Sequence, residues 1–144
     1  MTDQPFATTI QKTNEWLSEI TNRLDETDRT HAWMALRAVL HTLRDRLTVA
    51  EAVAFGAQLP LLIRGAYYEG WQPNHVPVRI RHRAEFLERV SEGLRSPKSA
   101  EEVEALTRAV LDTMADRVSL GEVVHLANIL PREIGALVAS NEIR

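Results

Sequence analysis

Shifted by 71 positions, the chain matches itself, and this repetition constrains the fold more than any composition figure. Arg37-Ala38-Val39-Leu40 pairs with Arg108-Ala109-Val110-Leu111, Asp45-Arg46 with Asp116-Arg117, and Leu59-Pro60 with Leu130-Pro131. With Thr42/Thr113, Glu51/Glu122, Val53/Val124 and Ile63/Ile134, twelve identities fall over residues 37–65, where chance gives roughly two. Upstream, with a one-residue slip, Glu15-Trp16-Leu17 aligns with Glu85-Phe86-Leu87. A half of this size buries too little core to stand alone. The expectation is one domain, residues 1–144, of two pseudo-symmetric helical repeats, about 6–72 and 78–142, packed face to face.

The repeats read as helices. Phe6, Ile10, Thr13, Leu17, Ile20 and Leu24 recur at spacings of four and three, which is one face of a helix. A second stripe runs through Ala32, Leu36, Val39, Leu40, Leu43 and Leu47, opened by Asp28 or Thr30 as cap. Thr48-x-x-Glu51, Ser99-x-x-Glu102 and Ser119-x-x-Glu122 have the form of capping boxes. A helix starts near Leu59-Pro60, where proline suits a first turn, and stops at Gly70. Gln72-Pro73-Asn74-His75-Val76-Pro77 is the linker, since two prolines in six residues prevent helix continuation. In the second half the stripes are Ile80, Ala84, Leu87, Val90 and Leu94, then Val103, Leu106, Val110, Met114 and Val118. Sustained alternation and hairpin dipeptides are absent, so the fold class is all-α.

Composition removes whole classes of function. Without cysteine there are no disulfides and no thiolate metal sites. A net charge of −3 argues against whole-protein affinity for nucleic acid. The one basic cluster, Arg79 to Arg83, is followed by Glu85, Glu88 and Glu92 at helical spacing. The short helices suggest a helix-turn-helix, but Leu61-Leu62-Ile63 is too apolar to read base edges. The longest apolar tract, Ala52 to Ile63, is too short to span a bilayer, and the first residues lack a signal-peptide pattern. A cytoplasmic chain with no cofactor is expected. No phosphate loop, nucleophile elbow or zinc-protease string is present.

Two sets of residues could carry function. Arg64, Tyr67, Tyr68, Glu69, Gly70 and Trp71 have counterparts of different chemistry in the second half, Gly135, Val138, Ala139, Ser140, Asn141 and Glu142. Aromatic rings with an arginine make good contact anchors. Continued helix would place Tyr67 and Trp71 on one outward face, one turn beyond Arg64, with Tyr68 inward. This segment is either the seam between the halves or a surface for self-association or a protein partner. The alternative is a divalent-metal or small-ligand site: His41 and its counterpart Asp112 precede Asp45 and Asp116 by four residues, hence share their helix faces. Glu122-x-x-His125 has di-iron spacing, but its counterpart is Glu51-x-x-Ala54, and capping accounts for both glutamates.

The string Leu36-Arg37-Ala38-Val39-Leu40-His41-x-Leu43-Arg44-Asp45-Arg46-Leu47, then Ala57-Gln58-Leu59-Pro60 and Arg64-Gly65-x-Tyr67-Tyr68-x-Gly70-Trp71, resembles a bacterial family known as domain of unknown function 2267. The resemblance spans most of the chain, and Gln-Leu-Pro to Gly-Trp is its most specific part. It implies a small soluble helical protein and assigns no activity, substrate or catalytic residue.

Overall fold

A computed structural model describes residues 4–96 and 98–139. Eight α-helices and no strands occur among them. α1 (Gln4–Arg23) leads into α2 (Arg29–Arg46), whose N-cap is Asp28, accepting the His31 amide at 3.1 Å. α2 and α6 (Ala100–Arg117) are the central pair, packed on each other and on α1. Their apolar stripes, including Leu40 and Leu111, are buried as their periodicity predicts. α3 (Val49–Gly56) and α6 both open with complete capping boxes, Thr48 with Glu51 and Ser99 with Glu102.

α4 (Leu61–Tyr68) follows Pro60, which stands at the N-cap and supplies no side-chain acceptor. The missing cap comes from another helix: Thr9 of α1 accepts the Leu62 amide on its hydroxyl at 2.9 Å. Gly70, at φ +78°, ends this segment in the left-handed region that favours glycine. The linker then makes a short 3₁₀ turn at Pro73–His75. It is pinned to the end of α2, where Val78 donates to the Asp45 carbonyl and Arg46 to the Ile80 carbonyl.

α5 (Arg83–Gly93), α7 (Leu120–Ile129) and α8 (Arg132–Val138) complete the chain. Pro131 caps α8 with φ −52° and ψ 149°, close to the −58° and 152° of Pro60 before α4. α2 and α6 each have 18 residues.

Two stripes depart from expectation. In α5 the inward residues are Phe86 and Val90, while Ala84 is exposed and Leu87 only half-buried. Ile80 is buried but lies ahead of the helix, so the α5 stripe does not continue from it. In α1, Thr13, Trp16, Leu17 and Ile20 are buried, yet Phe6 and Ile10 are exposed. The first turns of α1 leave the core and flank α4 instead.

Candidate functional site

The Arg64–Trp71 segment divides into inward and outward parts differently from the helical-face expectation. Tyr67 is the inward residue, fully buried, and its hydroxyl donates to the Ala52 carbonyl at 2.8 Å. Burial pushes that hydroxyl well above its ordinary pKa, the charged neighbours being secondary. Phe55, Tyr67, Tyr68 and Trp71 form a chain of ring contacts with centroid separations of 5.6, 4.9 and 5.3 Å. Tyr68 and Trp71 are half-buried. Tyr67 and Trp71 share no helix face because α4 stops at Tyr68 and the Gly70 turn intervenes.

Arg64 is turned onto its own chain. Its Nε donates to the Gly56 carbonyl at 3.0 Å and its Nη2 to that of Leu59 at 2.8 Å, closing the α3–α4 turn. The residue that sequence reasoning missed is Arg44, which is buried. Its Nη1 donates to the carbonyls of Tyr67 and Glu69 while Nε holds Asp45 at 2.8 Å. A guanidinium can be buried when its donors are matched in this way. Gly56 makes the close approach possible, since a Cβ there would come within 2.4 Å of the Tyr68 hydroxyl.

The four residues of the metal alternative are each engaged elsewhere. His41 Nε2 donates to the Ala66 carbonyl at 2.7 Å, and burial lowers its pKa despite that bond. Asp45 accepts from Arg44 and, at 3.4 Å, from Arg89. Asp116 pairs with Arg23 at 2.7 Å, and Asp112 lies 3.9 Å from the same guanidinium. Among the described residues no three His, Asp or Glu side chains form a group able to hold a metal ion. Part of the basic cluster is engaged locally: His82 and the Arg83 amide engage Glu133, and Arg83 pairs with Glu104.

A largely apolar groove of about 770 Å³ lies open between the first turns of α1 and α4. Phe6 and Ile10 form one wall, Leu61 and Leu62 the other, with exposures of 57, 46, 61 and 46%. Trp33 and Tyr68 line its inner end, so Tyr68 alone of the predicted aromatic set reaches it. Gly65 sits within it in mid-helix, and a Cβ there would meet nothing within 4 Å. Neither its backbone conformation nor its own chain's packing calls for glycine, although glycine costs a helix interior about 1 kcal/mol relative to alanine. In the sequence, the counterparts of Leu61 and Leu62 are the charged Arg132 and Glu133.

The family model for an uncharacterized conserved protein, DUF2267, matches residues 13–137. The chain belongs to the DUF2267 family. No curated protein matches it. The α4 wall of the groove lies inside the DUF2267 match, whereas Phe6 and Ile10 precede it. No helix among the described residues is long and apolar enough to cross a membrane.

Proposed function

We propose that this DUF2267 protein is a non-catalytic, cytoplasmic self-association module, built from two pseudo-symmetric repeats, that docks a second copy of itself through the α1–α4 groove. The observation that carries the reading is the convergence of four large exposed apolar side chains, Phe6, Ile10, Leu61 and Leu62, on one groove. Isolated exposed apolar residues are ordinary, but a contiguous group marks a contact surface.

Three features favour a second copy as occupant. A twofold contact requires one patch to be complementary to itself. This patch holds a ridge, Phe6 and Ile10 one turn apart, beside a hollow at Gly65. The patch carries little charge: residues 4–11 and 61–63 contain no ionisable side chain, and the one carboxylate on its lining, Glu69, is paired with Arg37. Two copies of an acidic chain therefore meet there without like-charge repulsion. The open space above Gly65 admits a partner backbone that a Cβ would hold away. The charged counterparts Arg132 and Glu133 would leave the second repeat without such a patch, so association ends at the dimer. Specific interfaces bury about 800 Å² per partner, and the groove would form the centre of one.

Sedimentation over a range of concentrations tests the reading. The wild type should show a concentration-dependent dimer, and Leu62→Glu should weaken it at least tenfold, as loss of an interface anchor does. Because Leu62 is exposed, the thermal melt of the mutant at dilution should stay within about 0.5 kcal/mol of wild type. Gly65→Ala should stabilise the monomer by up to ~1 kcal/mol while weakening the dimer. A wild type that remains monomeric up to millimolar concentration, or a dimer indifferent to Leu62→Glu, overturns the proposal.

A further inference from the structure

Three Ser/Thr-x-x-Glu boxes occur in the chain, and only one is left half-made. At Thr48 and Ser99 the exchange is reciprocal: the glutamate amide donates to the hydroxyl and the Ser or Thr amide donates to the carboxylate, at 2.9 Å for Thr48–Glu51 and 2.8 Å for Ser99–Glu102. At Ser119 the first half is present, with the Glu122 amide 3.1 Å from the hydroxyl. The second half is not. The Ser119 amide instead donates to Gln58 Oε1, 61 residues earlier in the chain, over a long 3.4 Å. The Glu122 carboxyl has left the capping position, and its Oε2 is buried without a hydrogen-bond partner. The expectation that capping accounts for Glu122 is thus only half met.

From this geometry we infer that Glu122 is a proton-operated latch between α7 and the α3–α4 turn. With its proton, the carboxyl stays inside and leaves the Ser119 amide to Gln58. On losing that proton to solvent, the carboxylate swings out, accepts the Ser119 amide as Glu51 and Glu102 do for their caps, and displaces Gln58. Strength decides the competition: a charge-assisted bond at a helix N-terminus outranks a 3.4 Å bond between neutral groups.

The groups acting on Glu122 agree with this order. Burial raises its pKa, and His125, one turn along α7, opposes the shift. Across from α4, the Tyr67 hydroxyl feels the Glu122 charge, and Ser119 and Gln58 are the neutral partners. A carboxyl whose pKa is raised in the fold favours the inward state at low pH and gives it up as pH rises through the raised value. The inference concerns the joint between residues 58 and 119 and stands apart from self-association.

Nuclear magnetic resonance on the full chain, kept dilute, tests it by following the Ser119 amide and the Glu122 carboxyl carbon through a pH titration. Both should move with one shared midpoint. In Glu122→Gln the Ser119 excursion should vanish. In Gln58→Ala the midpoint should fall, because the amide then has no competing acceptor. A Ser119 amide that stays still while Glu122 titrates, or that moves equally in Glu122→Gln, overturns the latch. Should Glu122→Gln fold poorly, the wild-type and Gln58→Ala titrations decide alone: separate midpoints, or a midpoint unmoved by Gln58→Ala, count against it.

Discussion

Truncating Leu40 or Leu111 to alanine should each cost about 2–5 kcal/mol of stability, measured by denaturant unfolding of the purified chain. Both side chains are at most 1% exposed and sit mid-way along the two 18-residue helices that pack on each other. The loss combines the transfer free energy of the missing carbons with the cavity they leave, since a tightly packed centre relaxes only in part. Similar losses at the two positions are expected if the halves are equivalent in packing as well as in sequence. A loss below about 1 kcal/mol at both would show that the paired stripes are not the centre of the core. Domains of this size have about 5–15 kcal/mol in total, so the double mutant should lose most of that margin if the effects add.

Those central helices were legible because helix period, caps and burial agree along them. Asp28, Thr48 and Ser99 each cap the helix that their position announces, and the two Leu-Pro pairs precede helices. The α1 stripe shows the limit of periodicity. Phe6 and Ile10 share a helix face with Thr13 and Leu17, but spacing says nothing about how far the neighbouring helices reach. They project past the core, and with Leu61 and Leu62 they make the groove. The contrast of Leu61-Leu62 with Arg132-Glu133 is the sequence signal for it, whereas the apolar run Leu61-Leu62-Ile63 taken alone argues only against base reading. Arg44 was hidden for a different reason. Its partners are main-chain carbonyls of α4 and its C-terminal turn, which a side-chain pattern cannot display. Glu122 was hidden by its own motif, since Ser-x-x-Glu is the same string whether the box closes or not.

Tyr67→Ala should be at least as damaging, about 3–5 kcal/mol, because an entire buried ring is removed from the chain of aromatic contacts. The ring fixes α4 to α3 through Phe55 and the Ala52 carbonyl, while the Tyr67 carbonyl is held from α2 by Arg44. Tyr67→Phe separates the contributions of ring and hydroxyl. It keeps the ring and removes one neutral hydrogen bond, so roughly 1 kcal/mol should be lost. The pair also differs in pH response. Burial raises the Tyr67 hydroxyl pKa, so its stabilising proton is present through neutral pH and is lost only as pH climbs through the alkaline range. The part of the wild type's alkaline unfolding that comes from Tyr67 should therefore disappear in Tyr67→Phe. Trp71 provides the control for the aromatic segment as a surface. It is half-buried against the core beside Tyr68 and lines no part of the groove, so Trp71→Ala should lower the melting temperature without changing the dimer constant measured well below that temperature. If Trp71→Ala instead abolished association in a fold of wild-type stability, the contact surface would lie along Tyr68 and Trp71, and the α1–α4 groove would lose its claim.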